Sequence, residues 1–173
     1  MEYSYLSKAT NNKAKRLSFL LFFAALLLFA ATASFDIPYK GTLQGISILL
    51  FSFSILLLIR FVLKSFLLSV FKTDENSFDF TVTEKYGKNN TTICRISLSN
   101  IEKVVVRTKE NEKALRAKAN GRRIFSYCPD LSPERECWIF VTECGEPLVI
   151  KISPDDTMLE ILSSAAQKNN LNG

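Results

Sequence analysis

Two uncharged apolar runs, Leu17–Phe35 and Gly41–Ile59, constrain what this 173-residue chain can fold into more than any other feature. Each is 19 residues long. As helices rising about 1.5 Å per residue they extend roughly 28 Å, close to the ~30 Å hydrocarbon core of a bilayer. Five residues, Asp36 to Lys40, separate them, and so short a connection joins antiparallel neighbours. The pair predicts a transmembrane helical hairpin, with the remaining residues forming a domain beneath the membrane.

Charge agrees with that division. The chain carries a formal +5, which would fit a nucleic-acid partner until it is located. Residues 1–16 hold Lys8, Lys13, Lys15 and Arg16 against Glu2, Arg60 and Lys64 follow the second run, and residues 72–173 contain 15 basic and 15 acidic side chains. The excess flanks the apolar runs, so no nucleic-acid partner is expected. Basic residues close to a span stay on the cytoplasmic side. Lys13, Lys15, Arg16, Arg60, Lys64 and Lys72 are therefore read as membrane-interface anchors, with both termini cytoplasmic. The first run also has features of a signal peptide: a basic start, an apolar stretch and the small-residue site Ala31-Thr32-Ala33. Its long basic region and extended apolar run favour a retained helix.

The second helix is expected to continue. Phe61, Val62, Leu63, Phe66, Leu67, Val70 and Phe71 extend an apolar pattern, while Arg60, Lys64, Ser65, Ser69 and Lys72 cluster opposite at helical spacing. The expected organisation is a basic cytoplasmic N-terminus over 1–16, a hairpin over 17–72 with helices at 17–35 and 41–71, a domain over 73–168, and a tail over 169–173. Asp74-Glu75-Asn76-Ser77 reads as the linker at the boundary.

Beyond it the pattern is that of strands. Phe78, Phe80 and Val82 alternate with Asp79, Thr81 and Thr83. Thr91–Leu98 and Ile101–Thr108 make two more, Arg123–Cys128 a fourth, and Cys137–Thr142 with Leu148–Ile152 a hairpin. A last helix starts from Ser153 as N-cap and Pro154 at its first position. Asp155 and Asp156 follow in the first turn, where capping explains them better than catalysis or metal binding. Met158, Ile161, Leu162, Ala165 and Ala166 give that helix one apolar stripe.

Six strands and a closing helix predict an α+β domain, a small antiparallel barrel or sandwich, carried on a membrane α-helical hairpin. The segment Phe78–Gln167 resembles the pleckstrin-homology-like domains of bacterial membrane proteins. The resemblance rests on order and pattern: Phe78-Asp79-Phe80, the Ile93–Val106 hairpin, Arg123-Ile124-Phe125, Trp138-Ile139-Phe140, Leu148-Val149-Ile150, then the helix from Ser153. It implies a fold, residence in the bacterial plasma membrane and a role in binding or assembly, without a specific ligand. In relatives of that fold a phosphoinositide site uses the loop between the first two strands. Here that turn holds only Lys85 and Lys88, and the site is not carried over.

One concentrated feature remains. Lys103 to Arg123 carries eight basic residues against Glu110 and Glu112, +6 in 21 residues. Lys109, Lys113, Arg116, Lys118, Arg122 and Arg123 are the candidates for lipid or partner binding. Near an anionic leaflet each cation contributes about 1 kcal/mol; the alternative is a solvated loop balanced by acids elsewhere. A short helix is expected over Glu112–Ala119, ended by Asn120-Gly121.

Catalysis has little to build on. The chain has no His, the commonest general base and metal ligand. It also lacks a glycine-rich phosphate loop and a nucleophile elbow. Cys94, Cys128, Cys137 and Cys144 have no CxxC spacing. No enzyme activity, metal or cofactor is expected. The expectation is a membrane-anchored binding or scaffold protein whose domain engages a protein partner in a membrane complex. The alternatives are an adaptor that binds anionic lipid headgroups through 103–123, and a small transporter or enzyme subunit. Membrane lipids, a protein partner or further copies of the chain are the expected contacts, though no GxxxG motif specifies a dimer.

Overall fold

The computed structural model describes residues 2–9, 13–35, 38–74, 77–131 and 133–172. The two apolar runs fold as helices α1 (Lys13–Ser34) and α2 (Lys40–Leu58), and α2 continues through a π-helical turn, Ile59–Leu63. Of their expected connection, Asp36 and Ile37 lie outside the described residues. Both helices are long and apolar enough to cross a membrane, and only 17% of each apolar window is buried. Such exposure is opposite to that of a core helix in a soluble protein. Leu20, Phe23, Leu27, Leu49, Phe53 and Leu56 point outward, while the buried positions are small or polar except for Leu57: Ala14, Ser18, Ala25 and Thr32 on α1, Ser47, Ser54 and Leu57 on α2.

Those small residues form the seam. Ser18, Ala25 and Thr32 recur every seven residues, as do Ser47 and Ser54, keeping one stripe of each helix against the other. Ser18 Oγ donates to Ser54 O at 2.9 Å and Ser54 Oγ to Ser18 O at 2.8 Å. Ser47 Oγ donates to Ala25 O at 2.8 Å. Small side chains let the backbones approach, and hydroxyls bond across the gap.

The sheets depart from expectation at the hairpin's two ends. Residues 3–7, read from sequence as part of a basic tail, form strand β1 (Tyr3–Ser7). Residues 64–71, expected as helix, belong to strand β2 (Lys64–Asp74). β1 and β2 pair antiparallel from Tyr3↔Val70 to Ser7↔Phe66. The hairpin is therefore an insertion between two neighbouring strands of one sheet, not a leader placed before a domain. The physical reason lies in the periods. Phe66, Leu68 and Val70 are buried while Leu67, Ser69 and Phe71 are half-buried, a period of two. Ladder partners on both sides of β2 decide against the equally visible helical spacing of Arg60 and Lys64.

β3 (Ser77–Tyr86) and β4 (Asn89–Ser97) complete the first sheet in the order β1-β2-β3-β4. The expected boundary linker is the β2–β3 connection within this sheet, and its Glu75 and Asn76 lie outside the described residues. The second sheet holds β5 (Ile101–Val106), β6 (Arg123–Ser126), β7 (Cys137–Glu143) and β8 (Glu146–Ile152) in the order β5-β7-β8-β6. Among the described residues eight strands replace the six expected, and β6 runs parallel to β8. Among the described residues the sheets do not join into a closed barrel; the architecture is α+β with two open sheets.

Both sheets share one core. Phe66, Leu68, Val70, Phe80, Val82 and Ile96 from the first meet Ile101, Cys137, Ile139, Val141, Ile150 and Ile152 from the second. Helix α4 (Asp156–Asn172) closes the core with Met158, Leu162 and Ala166 at four-residue spacing. Its N-cap is not Ser153 but Asp155, whose Oδ1 accepts the Met158 N–H at 3.0 Å. The expected tail from 169 is helix instead: Asn169 Nδ2 donates to the carbonyls of Leu98 and Ile101 at 2.8 and 3.0 Å, which holds the last turns down. The short helix expected in the basic segment is present as α3 (Glu112–Lys118). It packs Leu115 with Ala119 on Trp138, Phe140 and Val149, the outer face of the second sheet.

Candidate functional site

The hairpin and the sheets meet at the end of α2. The expected anchor Arg60 sits in the π-helical turn, and its Nη2 donates to the Ser126 carbonyl at the end of β6, 2.6 Å away. Its guanidinium lies over the rings of Phe61 and Phe66, 5.4 and 5.1 Å from their centroids. Cations over aromatic faces are held electrostatically. Lys64 opens β2 and pairs with Glu84 at 2.9 Å. Both residues therefore bond to the domain, rather than standing one helical turn apart and free to snorkel. Lys72, the last anchor read from sequence, is separated from Lys64 by eight residues of extended chain, about 26 Å at 3.3 Å per residue. That distance removes it from the helix end. Lys13, Lys15 and Arg16 occupy the first turn of α1 with exposed side chains.

Around this joint aromatic rings form a continuous group. Phe66 lies 5.9 Å from Tyr127, and Tyr127 stacks on Phe125 at 6.5 Å and 9°. Ile59, Lys64, Glu84, Tyr86, Asn89 and Thr91 border a shallow open hollow beside it.

The basic segment is distributed over the outer face of the second sheet, where acids answer much of its charge. Arg107 bonds Glu112 at 2.9 Å and the buried Glu136 at 2.5 Å. Arg116 bonds Glu112 at 2.6 Å, Arg122 bonds Glu102 at 3.1 Å, and Arg123 bonds Glu146 at 3.2 Å. Lys118 lies 4.9 Å from the Phe140 ring centroid, and Arg122 shares the same ring at 5.5 Å. Lys109 and Lys113 are exposed. The six candidates are not gathered into one patch: Lys113, Arg116 and Lys118 ride on α3, Lys109 precedes it, and Arg122 and Arg123 lead into β6. Exposed pairs of this kind contribute little to stability, but Glu102, Glu136 and Glu146, from outside the segment, reduce the field that its +6 would project.

The titrating groups follow these contacts. Burial works to raise Glu102, but the Thr142 hydroxyl and the Arg122 guanidinium overcome it and hold the carboxyl below its ordinary range. Arg107, then Arg116, lowers Glu112. Burial pushes the Cys94 thiol up to about 11, and Cys128 and Cys137 up to about 12. Buried thiols in this state are neutral and inert at neutral pH. Among the described residues no three His, Cys, Asp or Glu side chains gather as a metal site requires.

Several contacts were not visible in the chain as a string. Glu136 is bonded by Trp138 Nε1 at 2.7 Å as well as by Arg107, and Lys151 lies 3.9 Å from both the carboxylate and the Trp138 ring centroid. Glu102 and Glu136 could be suspected from sequence only as acids flanking a basic segment. The Arg60–Ser126 bond spans 66 positions and leaves no local signal. Comparison of the chain with protein-family models, with curated proteins and with solved structures gives no match in any of the three.

Proposed function

We propose that this chain is a membrane-anchored, non-enzymatic binding protein whose sheet domain, pleckstrin-homology-like in type, engages a protein partner in a membrane complex. The observation that carries the reading is the insertion of the apolar hairpin between β1 and β2. With α2 continuing through its π-helical turn directly into β2, and β1 paired beside β2, a spanning hairpin holds the first sheet at the bilayer surface. Lys13, Lys15 and Arg16 stand at the N-terminus of α1, where the helix dipole disfavours cations. Lipid phosphates at the interface supply the compensation, and the excess of Lys and Arg at this end of the hairpin supports both termini on the cytoplasmic side of a bacterial plasma membrane. The pairing of Arg107, Arg116 and Arg122 with acids favours a protein partner over a headgroup site built on the basic segment.

The outer face of the first sheet offers such a partner a neutral, hydroxyl-rich surface. Leu6, Leu67, Thr83 and Thr92 align across its four strands, and so do Ser4, Ser69 and Arg95 with the buried Thr81 between them. The test is purification of the full chain from native membranes in mild detergent. A stoichiometric protein partner is expected, lost on Leu67→Arg or Thr83→Arg while the chain stays folded. Recovery of the chain alone overturns the reading. Preferential binding to anionic liposomes, abolished by Lys109→Glu with Lys113→Glu, would establish the lipid adaptor instead.

A further inference from the structure

β6 is exposed along its whole length and pairs with β8 at the edge of the second sheet. It nevertheless presents two large apolar side chains, Ile124 at 49% and Phe125 at 40% exposure. An edge strand with uncovered apolar side chains is a liability in water. Its position indicates what covers it. Ser126, the last residue of β6, is bonded by Arg60, which directly follows the apolar run ending at Ile59. From there Phe66, Tyr127 and Phe125 follow ring against ring. Val62 and Leu63, at the same helix end, are 37% and 45% exposed. The apolar surface of the hairpin thus continues onto β6. Arg123, which opens the strand, adds an exposed cation paired with the exposed Glu146.

We infer that the β6 edge rests in the headgroup layer of the bilayer that the hairpin enters, with Phe125 and Ile124 inserted at the headgroup–acyl boundary and Arg123 against lipid phosphate. The inference rests on the spanning role of the hairpin. The headgroup region adds roughly 5–8 Å on each side of the hydrocarbon core, and one arginine side chain separates β6 from the helix end. An apolar edge beside cations matches the chemistry of an interfacial element. In this arrangement the membrane covers the strand, and the second sheet is oriented relative to the surface at two points, the helix end and β6.

Depth-dependent fluorescence quenching tests it on the full chain in nanodiscs containing lipids brominated near the top of the acyl chain. Trp138 is the chain's single tryptophan and supplies the background. Three variants are compared: Phe125→Trp, Leu171→Trp on the last turn of α4, which packs at β5, the opposite edge of the second sheet, and Phe23→Trp on the outward face of α1. Trp at 125 is expected to be quenched about threefold more than Trp at 171, because interfacial side chains lie ~5–10 Å into the boundary. Ile124→Trp is expected to follow 125. Quenching at 23 but none at 124 or 125 above the level at 171 overturns the inference while leaving the span intact; this is also the result if a second copy covers β6. Absence of quenching at 23 overturns the span itself, and the inference with it.

Discussion

Asp155 joins the first strand to the last helix, elements at opposite ends of the sequence. Its carboxylate caps α4 through the Met158 N–H and accepts the Tyr3 hydroxyl of β1, while its carbonyl accepts the Leu159 N–H at 3.0 Å. The acidic pair was legible as a helix start; which residue performs the capping was not, because only the docked β1 selects the rotamer. Asp155→Ala is expected to destabilise the domain by about 1–2 kcal/mol, read as a lowered denaturant midpoint. Asp155→Asn, which keeps a capping oxygen, is expected to lose less. Cys144 shows a second local effect. It has φ 51° and Gly145 has φ 82°, the two left-handed positions of a tight hairpin turn that favours Asn-Gly. Cys144→Asn is expected to raise stability by about 0.5 kcal/mol, since Asn tolerates this conformation better, checked by the same unfolding curve.

At the scale of elements, the apolar runs were legible as helices because length and absence of charge leave few alternatives. Their contact seam was not singled out. Ser18, Ala25, Thr32, Ser47 and Ser54 stand out only once the helices are paired. The reciprocal Ser18–Ser54 bonds predict energetic coupling. In a double-mutant cycle of Ser18→Ala and Ser54→Ala, the expected coupling is about 0.6 kcal/mol, measured by thermal unfolding in detergent. Ser54→Leu is expected to cost more than either alanine, because a large side chain separates the backbones. The stretch 60–71 shows the opposite problem. Arg60 and Lys64 recur at helical spacing, and Phe66, Leu68 and Val70 at strand spacing. Both periods are present, and pairing with β1 and β3 resolves them.

Over the whole molecule, β1 changes what the hairpin is. Tyr3 and Tyr5 pack against the core, and Ser7 Oγ donates to Ser153 O at 2.9 Å. Deleting residues 2–9 is therefore expected to unfold or loosen the sheets, with a lower melting temperature and rapid proteolysis after Lys64. If β1 is dispensable, those measures stay unchanged. Cleavage after Ala33 would remove β1 as well, so peptide mass analysis of chain recovered from membranes is expected to find Tyr3–Ser7 retained. Sequence alone determined the two apolar helices, the closing helix with its apolar stripe, the alternating strands from Ser77 onward and the location of the charge. Each of these follows from composition and periodicity within a few residues. Only tertiary structure decided that the first residues form a strand, that the hairpin interrupts a sheet, and that Arg60 bonds to β6. It also decided that acids from other strands answer the basic segment. Those outcomes depend on contacts between residues as many as 152 positions apart, and no local pattern encodes a partner at that distance.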